Sequence, residues 1–404
     1  MKIISLQINS LKEAGIFMKG IGADAEGIKI MAPKVILKAF KIEGISSYSA
    51  NIIKQQLLSL GADAAISRKA LVKKVNTDII IFGTLSQLRK FTGRIKHQPF
   101  GLKDLSFELN SILEQDNKTF RFRARDKVLI INKPLICGII NLTPDSFSGD
   151  GIFKKKADSK QQLVSLVLNR VSEMLKYGVK IIDIGGESTR PYSGPVKEDE
   201  EIKRVIPYLK LIRKKFPRII LSIDTYKYKV AKQAINEGVD IINDITALRY
   251  SPKIASLIKK YRLGCVLMHM KRTPQTMQVK PVYKHVRREI LGFLSKQVKF
   301  CLNEGIKKEQ IMIDPGIGFG KRLGDNLEII NHLDEFKSLG LPIFLGISRK
   351  SFIGDILKAG VEERLIGTVA GVVLSVLRGV DILRVHDVKE VSQAIRIVNK
   401  ILNH

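Results

Sequence analysis

The sequence contains no tryptophan, and aromatic residues make up only 6% of its 404 positions. Few rings are therefore available to stack against exposed bases, as single-stranded nucleic-acid binders require. The sequence has no run of about 18 uncharged apolar residues, so it predicts no transmembrane helix. Its start lacks the apolar core and small-residue cleavage site of a signal peptide, so we expect no secretory leader.

Cysteine is also scarce, with Cys137, Cys265 and Cys301 far apart and odd in number. This number and spacing favour free thiols over a disulfide framework and do not match a zinc site. Free thiols are typical of a reducing compartment, so we expect a cytoplasmic protein.

The net charge of +30 is the one compositional feature that points toward nucleic acid. The basic excess is spread along the whole chain, whereas nucleic-acid binders usually concentrate it on one segment or face. A Lys- and Ile-rich bias of the whole proteome is the plainer explanation of this excess, and small anionic substrates would also benefit from a positive field. A non-catalytic basic binding protein stays as an alternative, for which salt-dependent retention on nucleic acid is the test.

From about residue 135 onward, one pattern occurs eight times. A short run rich in Ile and Val ends in a polar residue, and an amphipathic stretch of helical period follows. The runs are LICGIIN, KIIDIGG, IILSID, VDIINDI, GCVLMH, IMIDPG, PIFLGIS and DILRVHD. Eight strand–helix units over about 270 residues match the α/β class and its (β/α)8 TIM barrel. A doubly wound open sheet is the alternative fold, but its site would use fewer strand ends.

The segment TFRFRARDKVLIIN precedes the first barrel strand and alternates in polarity, which predicts a β-hairpin that plugs the barrel floor. The domain boundary is therefore expected near residue 118. Residues 1–118 predict a small N-terminal α/β domain, and residues 119–404 form the barrel. The first domain shows no set of polar residues with recognisable chemistry, so the sequence assigns it no role.

Polar residues end all eight predicted strands, and in a TIM barrel those ends meet at the active site. They are Asn141, Asp183, Asp224, Asn243, His269, Asp314, Ser348 and His386. Buried carboxylates need partners. No cation is evident beside Asp224 and Asp314, so we expect a ligand such as an amino-pyrimidinone ring to satisfy them. Asp183 is either used in the same way or is a structural acid bonded to backbone N–H groups.

Three loops carry further chemistry. The segment DPGIGFGK, residues 314–321, fits neither the P-loop nor the dinucleotide motif. Its glycines are expected to let backbone approach a flat ligand, with Phe319 as a stacking face. The loop after Asn141 contains acids suited to Mg²⁺, including Asp150. Lys350 begins a predicted helix whose first turn is expected to bind an anion.

Eight motifs, taken in order, resemble those of bacterial dihydropteroate synthase over about residues 119–404. They are GIINLTPDSFSGDG, DIGGESTRP, SIDT, INDI, LMHM, DPGIGFGK, GISRKSFIG and RVHDV. The resemblance implies condensation of (7,8-dihydropterin-6-yl)methyl diphosphate with p-aminobenzoate to give 7,8-dihydropteroate and pyrophosphate in folate biosynthesis. It also implies Mg²⁺ as cofactor, a homodimer, and an enzyme of the kind that sulfonamides target.

Residue roles follow from the same resemblance. The pterin ring is assigned to Asp224, Asn243, Asp314 and Lys350, and the diphosphate to Arg384 and His386. The p-aminobenzoate pocket is assigned to Thr189, Arg190, Pro191, Phe319, Lys350 and Ser351. Asn141 and Asp150 are assigned to Mg²⁺. The first loop departs from the common pattern, because Gly149 separates Ser148 from Asp150.

The mechanism implied for this set is electrostatic, with Lys350, Arg384, His386 and Asp224 as the catalytic residues and no need of a strong base. Mg²⁺, Arg384 and His386 stabilise the departing diphosphate, and Asp224 and Asp314 stabilise the cation-like pterin that it leaves. We expect ordered binding with the diphosphate substrate first. A pterin-binding methyltransferase that passes a methyl group to a corrinoid is the alternative enzyme. It would share the ring-holding acids, but it has no need of Arg384 and His386.

Overall fold

A computed structural model describes residues 1–114, 119–143, 160–187, 194–273 and 275–402. The chain forms two compact units, Met1–Lys118 and Thr119–His404. No helix in the described ranges is long and apolar enough to cross a membrane.

The first unit is built on a three-stranded antiparallel sheet in the order β1–β3–β2. The strands are β1 Leu37–Ser46, β2 Asp63–Ile66 and β3 Asn76–Thr84. Its helices span Leu11–Gly20, Ala25–Val35, Ser47–Leu58, Lys69–Val72, Leu85–Ile95 and Leu102–Leu113. Thr84 and Gln87 form a reciprocal capping box where β3 passes directly into a helix. The predicted small α/β domain is thus confirmed.

A hairpin of β4 Phe120–Ala124 and β5 Lys127–Ile131 opens the second unit. Its turn is at Arg125 and Asp126, and Arg125 has a left-handed φ of 58°. Phe122 lies in a cluster with the first inward-facing residues of the barrel strands, among them Ile241 and Val266. A Cβ built on Gly264 would lie 2.4 Å from Phe122 Cζ, so glycine is required for this close contact. The hairpin therefore covers the amino-terminal end of the barrel.

Eight parallel strands form the barrel, in the order β11-β10-β9-β8-β7-β6-β13-β12. They are β6 Leu135–Asn141, β7 Ile181–Gly185, β8 Ile220–Asp224, β9 Ile241–Asp244, β10 Gly264–Met268, β11 Ile311–Asp314, β12 Phe344–Gly346 and β13 Ile382–Val385. A parallel bridge between Ile313 and Ile343 joins the two ends of this order. The predicted TIM barrel is confirmed, and the open-sheet alternative is wrong.

Helices surround the strands and bury the apolar outer faces of the barrel. They span Lys160–Lys176, Glu198–Lys215, Tyr228–Asn236, Ile254–Tyr261, Val286–Asn303, Leu323–Asn331, Ser351–Leu357, Leu365–Leu377 and Val388–Leu402. Short 3₁₀ turns occupy Lys308–Gln310, Leu333–Leu339 and Val361–Arg364. Glu198–Lys215 has four acids in its first turn and three basic residues in its last, which matches the helix dipole.

The floor contact gives a stability prediction. Phe122 is 1% exposed, so Phe122→Ala leaves a cavity beneath the strands and should lower the free energy of unfolding by about 3–5 kcal/mol. Val128→Ala, at an exposed position of the same hairpin, should change it by less than about 0.5 kcal/mol. Chemical denaturation of the two variants measures both values. Equal effects would mean that the hairpin does not close the core.

Candidate active site

The carboxyl ends of the strands bring the predicted polar residues to one end of the barrel. Asn141, Asp224 and Asp314 are the last residues of β6, β8 and β11. Asn243 is paired with Asp224 in the β8–β9 register. His386 follows β13 directly. The parallel register thus places these residues around a single mouth.

Arg384 joins two buried acids at the centre of this mouth. Its Nε donates to Asp183 Oδ2 at 2.6 Å, and its Nη2 donates to Asp224 Oδ2 at 2.8 Å. The expectation that Asp224 has no neighbouring cation is therefore wrong, because Arg384 reaches it across the barrel. Within the described residues Nη1 makes no hydrogen bond, so it is the nitrogen left for a ligand.

Burial and ion pairing act in opposite directions on the pKa values of Arg384 and Asp224. Burial works against the charge of Arg384, but Asp183 and Asp224 outweigh it and raise the pKa of the guanidinium. Burial raises the pKa of Asp224, and the charge of Arg384 opposes that rise. The guanidinium is thus a fixed cation, and its charge favours the charged form of Asp224.

Asp183 also orients Asn243. The Asn243 Nδ2 atom donates to Asp183 Oδ2 at 3.1 Å, so the amide oxygen of Asn243 points elsewhere. Asp183 is therefore held by side chains, and not by the backbone N–H groups that one interpretation proposed. Its Oδ1 atom is buried and has no partner in the described part of the chain. A buried oxygen without a donor is costly, so a bound water or ligand is expected there.

Lys350 projects from the start of the helix Ser351–Leu357 toward the glycine loop after β11. Its Nζ donates to Ile317 O and lies 4.6 Å from the centroid of the Phe319 ring. Burial lowers the pKa of Lys350 to about 8, although Asp314 favours its charged form. Ser351 is the exposed first residue of the helix. The predicted stacking face of Phe319 is thus occupied by the amine of Lys350.

Asp314 and the glycine loop follow β11, which lies two strands from Arg384 on β13 in the closed barrel. The backbone N–H of Gly316 donates to Asp314 Oδ1 at 2.7 Å. Oδ2 of the same carboxylate makes no hydrogen bond to any residue in the described ranges. Burial raises the pKa of Asp314, whereas Lys350 and the N–H of Gly316 favour its charged form. One oxygen of Asp314 is therefore fixed and the other is available to a ligand.

His386 lies between Ser348 and Asn141. Its Nδ1 is 3.1 Å from Ser348 Oγ, and its Nε2 is 3.5 Å from Asn141 Nδ2. Burial, together with the charge of Arg384, lowers the pKa of His386 to about 3. The imidazole is neutral at pH 7, so it has a single N–H to donate and carries no positive charge.

Mg²⁺ takes oxygen ligands, so the oxygen donors near the mouth decide whether it fits there. No cluster of three His, Cys, Asp or Glu side chains occurs in the described ranges. Asn141 turns its Nδ2 toward His386, which leaves Oδ1 for a cation. Mg²⁺ commonly keeps several waters and takes one or two protein ligands plus substrate phosphates. A single amide oxygen beside a diphosphate site fits that pattern.

Some predicted residues fall outside the described ranges. Asp150 belongs to residues 144–159, and Thr189, Arg190 and Pro191 belong to residues 188–193. Their predicted roles in metal and p-aminobenzoate binding stay predictions.

A buried ion network that the sequence analysis missed lies beside the site. Lys227 Nζ donates to Glu187 Oε2 at 2.7 Å and to Glu201 Oε2 at 2.5 Å. It also donates to Val196 O at 2.7 Å, while the Val196 N–H donates to Glu187 Oε1. Lys227 follows Asp224 by three residues. A lysine so close to a strand end was the available signal, but its partners lie in another strand–helix unit.

Known proteins match most of the barrel unit in sequence. A family model described as "Pterin binding enzyme" matches residues 137–386. Dihydropteroate synthase of Haemophilus influenzae is 42% identical over 274 residues, which are 68% of this chain and 96% of the relative. The corresponding enzyme of Clostridium beijerinckii is 44% identical over 268 residues, which are 66% of this chain and 94% of the relative.

Solved structures give the same result. A Yersinia pestis dihydropteroate synthase in a sulfonamide drug complex has a TM-score of 0.65 and 37% identity, covering 70% of this chain and all of that chain. A Xanthomonas albilineans dihydropteroate synthase with 4-aminobenzoic acid has a TM-score of 0.64 and 34% identity. The match covers 71% of this chain and 100% of that chain.

Proposed function

The chain belongs to the dihydropteroate synthase family of pterin-binding enzymes, and from this membership we propose roles for the residues at its barrel mouth. It is a transferase that condenses (7,8-dihydropterin-6-yl)methyl diphosphate with p-aminobenzoate, giving 7,8-dihydropteroate and pyrophosphate in folate biosynthesis. The observation that supports the residue roles best is the pairing of Arg384 with Asp183 and Asp224 at the centre of the mouth.

The pterin ring binds to three oxygen acceptors. Within the described chain, Asp224 Oδ1, Asn243 Oδ1 and Asp314 Oδ2 make no hydrogen bond, and they face the mouth from three strands. An amino-pyrimidinone edge carries adjacent N–H donors that match such acceptors. The Nδ2 donor of Asn243 is already bonded to Asp183, so the side chain presents its oxygen to the ring. The pocket is therefore arranged before the ring arrives.

The diphosphate binds near Arg384 and His386. Arg384 Nη1 supplies a charged donor, and the neutral His386 ring supplies a hydrogen bond. Asn141 Oδ1 would hold Mg²⁺, which when bound neutralises charge on the departing diphosphate. These side chains come from β6 and β13, which are neighbours in the barrel.

p-Aminobenzoate binds on the Lys350 and Phe319 side of the mouth, with Ser351 and the residues Thr189, Arg190 and Pro191. Its amine is a neutral nucleophile and needs no strong base. As the diphosphate leaves, the methylene carbon of the pterin becomes cation-like, and the carboxylates of Asp224 and Asp314 stabilise that charge. Water would capture the same carbon, so it must be excluded before the diphosphate leaves. Binding is therefore ordered, with the diphosphate substrate first and p-aminobenzoate second.

Pyrophosphate release tests this proposal. Release should require p-aminobenzoate and Mg²⁺, and Lys350→Ala should lower kcat/KM by about 10²-fold, because a charged donor at the site is lost. Lys389→Ala, at an exposed lysine three residues after His386, is the control and should keep wild-type kinetics. Lys350→Ala with unchanged kinetics would refute the role of Lys350.

The two units have different proposed roles. Residues 119–404 catalyse the reaction, and residues 1–118 form an accessory domain. Every described residue of the site lies in the second unit. The three buried free cysteines, Cys137, Cys265 and Cys301, favour a cytoplasmic location.

A homodimer formed through the helix Leu365–Leu377 is also proposed. Ile366, Leu374 and Leu377 of this helix are 81%, 40% and 56% exposed, and they offer apolar surface that a second copy would cover. Ile366→Lys should convert a dimer to a monomer in sedimentation velocity, since a charge would enter the interface. A wild-type monomer at micromolar concentration would contradict this prediction.

A further inference from the structure

Lys321 is a buried lysine to which the proposed reaction assigns no role. It is 4% exposed. Its Nζ donates to Gly316 O at 2.7 Å and to Phe319 O at 3.1 Å, and it lies 3.1 Å from His269 Nδ1. Burial lowers the pKa of Lys321 well below its ordinary value, and that of His269 to about 2. The amine of Lys321 therefore connects both ends of the Gly316–Phe319 turn to His269, the residue that follows β10.

The turn cannot be held by its own side chains. Gly316, Gly318 and Gly320 all have positive φ, at 71°, 81° and 65°. A Cβ on Gly316 would lie 2.0 Å from His269 O, so the backbone passes too close for any side chain there. Glycines leave a chain flexible unless outside groups fix it. Lys321 bonds the Gly316 and Phe319 carbonyls of the turn at once, while Asn326 Oδ1 accepts from the Gly318 N–H and Gln278 Nε2 donates to Gly318 O.

The Gly316–Phe319 turn also contacts Lys350. Ile317 O accepts from Lys350 Nζ, and the Phe319 ring lies 4.6 Å from the same atom. A lysine has a long side chain with much rotational freedom, and fixing it costs entropy. If the turn is already rigid, that cost is lower when substrate binds.

We propose that Lys321 is a positioning residue for the synthase reaction, whose amine fixes the Gly316–Phe319 turn so that Ile317 O and the Phe319 ring place Lys350 in the mouth. This proposal rests on the proposed role of Lys350. Lys321 itself does not touch the substrates. Its contribution is to keep the reacting groups aligned, and small misplacements are known to lower rates strongly.

A double-mutant cycle tests the coupling. Lys321→Met keeps a similar side-chain length but removes the hydrogen bonds, and it should lower kcat/KM by about 10–100-fold. In a Lys350→Ala background the same change should lower kcat/KM by less than about threefold, because the two residues act through one path. Lys127→Met, at a lysine that pairs with Asp240 near the barrel floor, should lower the midpoint of unfolding without changing kcat/KM.

The outcomes separate the two hypotheses. Kinetic losses that multiply in the double variant would overturn the positioning role, and so would a single variant within about twofold of wild type. Wild-type activity of Lys350→Ala would instead overturn the role of Lys350. If Lys321→Met does not fold, Lys321→Gln, which is too short to bond both carbonyls, is judged by the same criteria.

Discussion

Arg384→Met should lower kcat/KM for pyrophosphate release by about 10²–10³-fold, the range found when a preorganised charged or polar donor is removed from a site. The guanidinium has two tasks here. Its Nη1 is the proposed donor for the diphosphate, and its Nε and Nη2 bond Asp183 and Asp224. Methionine would leave both carboxylates without a cation, so the pterin acceptors would also lose their arrangement.

The control for this variant is Arg213→Met at the opposite end of the barrel. Arg213 bonds Asp240 at 2.6 Å and several backbone carbonyls, so its loss should reduce stability. It lies far from the mouth, and the folded fraction should keep kcat/KM within about threefold of wild type. Similar kinetic losses in both variants would show that Arg384 acts only through stability.

Lys227→Met should lower the free energy of unfolding by about 3–5 kcal/mol, the cost of removing one partner from a buried ion pair. Burial opposes the charge of Lys227, but Glu201 and Glu187 outweigh it and raise the pKa of the amine. The side chains of Lys227 and Glu201 are only 5% and 1% exposed. Methionine would therefore leave two carboxylates buried without a cation.

A matched lysine lies two residues away. Lys229 pairs with Asp199, and the two side chains are 53% and 74% exposed, so Lys229→Met should leave the unfolding midpoint close to that of the wild type. Denaturation with urea, monitored by circular dichroism, compares the two variants. Adding Glu201→Gln to Lys227→Met should restore part of the loss. Equal midpoints for Lys227→Met and Lys229→Met would refute the buried network.

The sequence alone predicted much of the fold. Eight apolar runs, each followed by a helical pattern, identify a TIM barrel because parallel strands covered on both faces are apolar throughout. The same pattern placed Asn141, Asp224, Asp314 and His386 at one mouth, since the ends of parallel strands converge. Local signals such as the Thr84–Gln87 capping box also suffice to begin a helix.

Only the tertiary structure decided which charges pair. Arg384 is 201 residues from Asp183 and 160 from Asp224, and they meet because β13 lies two strands from β7 and three strands from β8 in the closed barrel. Lys227 finds Glu187 and Glu201 in the preceding strand–helix unit, and Lys321 finds carbonyls of its own loop together with His269. Strand patterns depend on local periodicity, whereas the partners of a buried charge depend on long-range packing, which no local pattern encodes.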